Sequence, residues 1–276
     1  MKQLKDKVAV ITGAASGFGR ELAILCAQEG MHVAMTDVDE KGLQATTALL
    51  PPGTQSLSVK CDVSSADDME RLAGRTYERF GGAHLLFNNA GIAVAGPAWT
   101  ATLDEWKWVL GVNVMGVVHG IRSFVPRMLK QGDECHVVNT ASVAGLLSVP
   151  GSSVYCVSKH AVVTLSECLY QDLQIAKALI GVSVLCPAFV NTGIADSERN
   201  RPAALASKNP QAAPYEERVR QAIRAGRLSA ADIARITLEA VRSDRFYILT
   251  HPAIKGAIEM RMRDILEERL PANPMP

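Results

Sequence analysis

The feature that most constrains this chain is a glycine-rich turn set between an apolar strand pattern and a helical one. Residues 7–12, Lys-Val-Ala-Val-Ile-Thr, form a continuous β-branched run, the pattern of a strand buried on both faces. The chain then passes through Thr-Gly-Ala-Ala-Ser-Gly-Phe-Gly, residues 12–19, into a stretch over 16–29 that sets Phe18, Leu22, Leu25 and Cys26 on one stripe. Such a turn aims backbone N–H groups and a helix N-terminus at one region of space, which suits a pyrophosphate. Its spacing is G-x-x-x-G-x-G rather than the commoner G-x-G-x-x-G, and a tight turn of purely structural purpose fits it too. Asp37, at the end of the second apolar run, sharpens the reading. A carboxylate there accepts from both ribose hydroxyls of an adenosine half and repels a 2′-phosphate. No Arg or Lys stands at position 16 or directly after Asp37, so NAD is expected over NADP.

Short apolar runs over 31–36, 56–61, 84–87, 136–140 and 181–186 alternate with helical patterns, and residues 39–50 read as a helix stopped by Pro51-Pro52-Gly53. Strand–helix alternation of this kind predicts an α/β fold, a three-layer doubly wound parallel sheet with helices on both faces. With no repeat and no linker, residues 1–276 are expected to form one domain. Two regions break the rhythm. Residues 196–226, polar and rich in Ala and Pro, follow the sixth strand, where α/β folds place substrate lids; a tolerated surface loop is the alternative. Residues 245–250 look like a last strand. The tail over 252–276 opens with an extra helix, 252–269, carrying Ile254, Ile258, Met262, Ile265 and Leu266 on one face. Packing on its own domain is expected of it, and covering a partner subunit is the alternative.

Composition removes other classes. With 29 Lys+Arg against 28 Asp+Glu, the formal charge of +1 lacks the basic footprint of a nucleic-acid binder. The N-terminus shows no apolar leader with a cleavage site, and the apolar stretch around 109–118 is far short of a bilayer span, so neither secretion nor membrane insertion is expected. The six cysteines form no CxxC pair and mostly sit in apolar runs, which predicts reduced, buried thiols and a cytoplasmic protein. The histidines form no HExxH and no cluster with cysteine, so no metal site is expected.

From here the sequence resembles the short-chain dehydrogenase/reductase family, over residues 5 to about 195, with several motifs in order. Thr12 to Gly19 matches its glycine motif, which implies cofactor contacts from Gly13, Ser16, Gly17, Phe18 and Gly19, with Asp37 on the ribose. Asp62, followed by Val63, matches the family's acidic contact to the adenine ring. Asn88-Asn-Ala-Gly91 matches the segment that stabilises the central sheet and lines the cofactor through Asn89, Ala90 and Gly91. Asn113, Ser142, Tyr155 and Lys159 match the family's catalytic Asn, Ser, Tyr and Lys. Pro187-Ala188 stands where the family has Pro-Gly, with Val190 and Thr192 beyond it; Thr192 is implied as a nicotinamide-carboxamide contact. The resemblance implies a Rossmann fold and a homodimer or homotetramer. Many relatives end in a Val-Asp-Gly-Gly segment that packs across a tetramer interface. Its absence here puts the tetramer in question and leaves a dimer through the helices around Asn113 and Tyr155. A similar tail occurs in relatives acting on bulky or aromatic alcohols.

The chemistry also follows from the residues. Oxidising a carbinol needs a base for the O–H proton and an acceptor for the C–H hydride. A free tyrosine, with a pKa near ~10, is too weakly ionised at neutral pH. Lys159, four residues after Tyr155 and on the same helix face, favours the phenolate, and a depression of about two to three units is the useful amount. Ser142 is placed to hydrogen-bond the substrate oxygen as charge develops. From the family alone, Asn113 is given a water that links Lys159 to solvent. Cys156 and Cys186 lie close in sequence to this set but have no His–Asp partnering, and are expected to be packing residues.

The expected pocket walls, residues 94–98, Leu146, Leu147, Val149 and Phe189, carry no Arg or Lys. An uncharged, hydrophobic secondary alcohol or ketone is therefore expected as the small-molecule partner, unless Arg199, Arg201 or Lys208 reaches in. The alternatives are an NADP-linked carbonyl reductase and a dinucleotide-sensing protein without catalysis.

Overall fold

A computed structural model of the chain describes residues 1–274; the last two positions of the expected tail lie outside the described residues. In chain order the elements are β1 (Val8–Thr12), α1 (Gly17–Gln28), β2 (His32–Asp37), α2 (Glu40–Ala48), β3 (Ser56–Lys60), α3 (Ala66–Phe80) and β4 (Leu85–Asn88). They continue as α4 (Leu103–Leu110), α5 (Gly116–Gln131), β5 (Cys135–Thr140), α6 (Ser153–Ile175), β6 (Ile180–Cys186), α7 (Ala213–Arg224), α8 (Ala230–Arg242), β7 (Tyr247–Leu249) and α9 (Lys255–Leu266). The strands form one sheet in the order β3-β2-β1-β4-β5-β6-β7, every neighbouring pair parallel. This is the expected doubly wound α/β architecture.

The sheet explains the unbroken apolar runs. β1, β4 and β5 are buried along their whole length, because helices cover both faces. The pleat then sends alternate residues to opposite cores. Ala9 and Ile11 join Leu22, Cys26, Ile233 and Leu238 on the side of α1 and α8. Val10 joins Met69, Leu72, Phe124 and Met128 on the side of α3 and α5. At the edge, β3 is only partly buried.

The order of the strands also locates a site. The chain leaves β1 toward β2 and leaves β4 toward β5, in opposite directions along the sheet, so a crevice opens beyond the carboxyl ends of β1 and β4. The Thr12 hydroxyl pins that point. It donates to the Phe87 carbonyl at 3.3 Å and accepts from the amides of Asn89 and Ala90 at 2.9 and 3.0 Å.

Three expectations change. The apolar stretch around 109–118 is the middle of a continuous helical segment from Leu103 to Gln131, with a π turn over Gly111–Met115 joining α4 to α5. At 29 residues it is long and apolar enough to cross a membrane, with 56% of its most apolar window buried inside the protein. It carries buried Glu105 and Asn113 and packs among the core residues of the sheet, which is the behaviour of a core helix. Residues 196–226 are not a bare loop: 3₁₀ turns at Gly193–Asn200 and Ala203–Leu205 lead into α7. Finally, α9 buries none of its residues completely: Ala257, Arg261 and Asp264 are half-buried and share a small cavity with Leu147 and Ser148, while Met262, Ile265 and Leu266 of the expected stripe are exposed.

Candidate active site

The crevice is the mouth of one cavity of about 1040 Å³ that runs from Asp37 past the glycine-rich turn to Tyr155 and out beneath the 196–226 segment. Sixteen of the eighteen expected site residues line it; Gly19 and Asn113 do not. The count matters because the sixteen come from seven separate stretches that only this topology brings together.

The turn after β1 fits a dinucleotide phosphate on steric grounds. Gly13 has φ +68°, and a Cβ there would lie 2.8 Å from the Ala90 Cα; one on Gly19 would lie 2.1 Å from the Gly13 carbonyl oxygen. These glycines let β1, β4 and the start of α1 close together, which exposes backbone N–H groups to the cavity. Gly19 therefore acts behind the wall rather than on it. At one end of the cavity the Asp37 carboxylate accepts from the Ala15 and Asp39 amides, each at 3.0 Å. Burial pushes its pKa up, and these backbone hydrogen bonds oppose the shift. Asp62 is held by the amide and hydroxyl of Ser64 and faces the same space with Val63.

At the other end α6 carries Tyr155 and Lys159 one turn apart, under the end of β5. Lys159 is 2% exposed. Its Nζ donates to the Thr140 carbonyl at 2.9 Å and lies 5.6 Å from the centroid of the Tyr155 ring. Burial brings the ammonium down to about 8. Burial also pushes the Tyr155 phenol up to about 12, against a hydrogen bond with Ser142 that pulls it down. The expected depression of this tyrosine is thus not achieved by the protein groups alone, because desolvation outweighs the hydrogen bond with Ser142. Ser142 is fixed as well: its Oγ donates to the Pro187 carbonyl at 3.3 Å and accepts from the Ala144 amide at 3.1 Å.

Asn113 stands one layer back. In the π turn its Oδ1 accepts from the Ile92 amide at 2.9 Å, while Nδ2 donates to the Ile92 carbonyl and to Ser158 Oγ at 3.0 Å each. It reaches the site through Gly91, where a Cβ would lie 3.4 Å from Lys159 Nζ and 3.5 Å from Asn113 Oδ1. Pro187, Val190 and Thr192 follow β6, and Thr192 packs beside Gly17, 3.4 Å from where a Cβ would stand.

The 196–226 segment is fastened by residues that no motif announced. The Arg201 guanidinium carbon lies 4.4 Å from the centroid of the Trp108 ring. Its Nη2 meets Glu198 at 2.6 Å and Glu105 at 3.9 Å. Glu105 in turn accepts from the Asn209 amide at 3.0 Å. Arg201 and Lys208, both considered as cavity cations from sequence, are therefore spent on carboxylates. Arg199 does line the cavity, as does Arg218 of α7. The cations Arg199, Arg201 and Lys208 were visible in sequence, but Glu105, about a hundred positions earlier, was not marked as a partner. Cys156 and Cys186 are buried. Burial raises both thiols, Cys186 to about 12, which suits packing and not nucleophilic attack.

Comparison with known proteins decides the family: the one described as short chain dehydrogenase matches residues 7–203. The chain belongs to this family. The dehydrogenase is 36% identical to the CLA biosynthesis dehydrogenase/reductase of Lactiplantibacillus plantarum, covering 98% of this chain and 97% of that one. It is 33% identical to the 1-deoxy-11-beta-hydroxypentalenate dehydrogenase of Streptomyces exfoliatus, over 96% of this chain and 89% of that one. A crystal structure of a short chain dehydrogenase/reductase from Burkholderia phymatum, in complex with NAD, superposes with a TM-score of 0.97 at 48% identity, each chain covered completely. The dehydrogenase is thus an oxidoreductase of the fold and family that its motifs implied.

Proposed function

We propose that this dehydrogenase is NAD-dependent and transfers a hydride between the nicotinamide and a hydrophobic secondary alcohol or ketone, with Tyr155 as general acid/base. The observation that carries the reading is the cavity itself, which has the Asp37 carboxylate at one end and the Tyr155 phenol, flanked by Ser142 and Lys159, at the other. Asp37 favours ribose hydroxyls over a 2′-phosphate, and the similar Burkholderia phymatum enzyme is in complex with NAD. The relatives named for 1-deoxy-11-beta-hydroxypentalenate support a hydroxyl-bearing substrate.

The residues divide the labour. The amides after β1 and the start of α1 would hold the pyrophosphate, Asp37 the adenosine ribose, Asp62 and Val63 the adenine, and Thr192 the carboxamide. When bound, the cofactor takes or supplies the hydride and, oxidised, brings positive charge beside the phenol. Tyr155 takes the carbinol proton in oxidation and returns one in reduction. Ser142 steadies the oxygen while its charge changes. Lys159, itself buried, stabilises the phenolate electrostatically and leads the proton toward Asn113 through the space at Gly91. Around the reacting carbon the walls are apolar, with Leu147, Val149 and Phe189 on the lining. We likewise propose a homo-oligomer: exposed Met115 and Val157, on the π turn and on α6, suit the helix-to-helix dimer.

A panel of secondary alcohols and ketones, followed by cofactor absorbance with NAD and NADP, tests this reading. Turnover is expected with NAD at least ~10-fold more efficiently than with NADP, and Asp37→Ala should narrow the gap through loss of about 1–3 kcal/mol of ribose binding. A strong preference for NADP in the parent protein would overturn the role given to Asp37.

A further inference from the structure

The cations of the 196–226 segment have unequal fates. Arg201 and Lys208 pair with Glu198, and Arg220 pairs with Glu217. Arg199 lines the cavity, but its Nη1 donates to the carbonyls of Gly193 and Asp196 at 2.7 Å each. Because Gly193 follows Thr192, which packs on Gly17, Arg199 belongs to the cofactor end. Arg218 differs from all of these. It projects from α7 onto the cavity wall, and among the described residues no carboxylate lies within ion-pair distance of it. Its guanidinium carbon lies 5.7 Å from the centroid of the Tyr215 ring.

Tyr215 fixes where this cation stands. A Cβ on Gly151 would come within 2.1 Å of the Tyr215 ring, so α7 is seated on the loop that leads into α6, four residues before Tyr155. Arg218 therefore stands on the substrate side of the mouth. The cavity that both Arg218 and Tyr155 line has Leu147, Val149, Val219 and Ile223 among its apolar walls. A cation with no carboxylate partner, at the rim of an apolar channel, meets two conditions for binding an amphiphile. The body of the ligand is desolvated inside, and its charged end remains partly hydrated, so little desolvation penalty opposes the ion pair.

We infer that the substrate is amphiphilic, an apolar alcohol or ketone with a carboxylate at the end remote from the reacting carbon, received by Arg218 with Tyr215 beneath it. The inference rests on the hydrophobic-substrate reading above and replaces its uncharged end with an anionic one. A guanidinium suits this role, since its planar fork meets both carboxylate oxygens and it stays charged at every working pH.

The test reads binding, not turnover. Calorimetry on the NADH-saturated enzyme compares decanoate with methyl decanoate, and 2-naphthoate with methyl 2-naphthoate, in the parent protein, Arg218→Gln and Lys107→Gln. Lys107 also lines the cavity, from α4, and serves as the competing cation. In the parent at least one acid should bind about fivefold to tenfold more tightly than its ester, the size of a half-exposed charge-assisted contact. Arg218→Gln should abolish that preference and leave ester affinity within about twofold, while Lys107→Gln keeps the preference. Equal binding of acids and esters by the parent, a preference that survives Arg218→Gln, or its loss in Lys107→Gln would overturn the inference. A catalytic failure of Tyr155 would leave this binding result untouched, so the two readings fail separately.

Discussion

The ammonium of Lys159 lies 5.6 Å from the centroid of the Tyr155 ring, and its hydrogen bond goes to the Thr140 carbonyl rather than to the phenol oxygen. The lysine therefore acts on the tyrosine through its charge, across the ring. Burial brings that charge down to about 8, so it is fully present at neutral pH and fades above. Oxidation needs the phenolate, and its kcat/KM should rise with pH; ketone reduction needs the phenol and should not. Lys159→Met, which removes the cation, should move the rising limb at least ~1 unit higher and lower oxidation at pH 7 by about 10²-fold. An unmoved limb in the variant would remove Lys159 from the proton chemistry.

Gly91 tests the path behind the lysine. An Ala there places its methyl at ordinary contact distance, 3.4 Å from Lys159 Nζ and 3.5 Å from Asn113 Oδ1, in the space both share. Gly91→Ala should fold normally by circular dichroism and bind NAD, yet slow oxidation by about 10-fold or more, since proton transfer by a positioned group is worth 10²–10⁴-fold. Parent-like turnover in a folded variant would show that protons do not pass there.

The clamp on the 196–226 segment is a stability device with a kinetic signature. The side chains of Arg201 and Glu105 are 6% and 3% exposed, and Arg201 keeps Glu198 at 2.6 Å when Glu105 is removed, so the loss falls on the buried Asn209 amide, which donates to Glu105. Glu105→Ala should cost about 1–3 kcal/mol locally, seen in urea titrations as early loss of protection over 196–226 in hydrogen exchange. KM for the organic substrate should rise while NAD affinity holds. Uniform protection across the segment would contradict the clamp.

His136 makes the fold sensitive to acid. Buried within β5, with its Nε2 2.8 Å from Ser183 Oγ, it is lowered from 6.5 to about 3, by burial first and the N-terminal charge second. Asp244, at 3.9 Å, does not reverse that. The folded state therefore binds fewer protons than the unfolded state between these two values, and stability rises with pH through that window. The contribution is complete above pH 6.5 and is lost progressively as pH falls toward 3. Urea midpoints should fall from pH 7 to 4.5, and His136→Gln should flatten the slope.

Local pattern carried the strands and the cofactor end. The run before Thr12 marks a strand covered on both faces; Gly13 is glycine because the segment after β4 approaches at Ala90, and Gly19 because the Gly13 carbonyl does. The catalytic pair was legible because Tyr155 and Lys159 share one helix face. What stayed hidden depends on distant partners. The clamp joins residues about a hundred positions apart in Glu105 and Arg201, and the tyrosine's raised pKa comes from burial that no motif encodes. The π turn that carries Asn113 and the exposed stripe of α9 are likewise set by tertiary packing.

The most direct measurement is turnover and cofactor affinity in Tyr155→Phe, which removes one hydroxyl from a half-buried ring on the cavity wall. The account predicts NAD binding within about threefold of the parent and a loss of at least ~10³-fold in kcat for both oxidation and reduction. Oxidation at the parent rate, with binding unchanged, would contradict it.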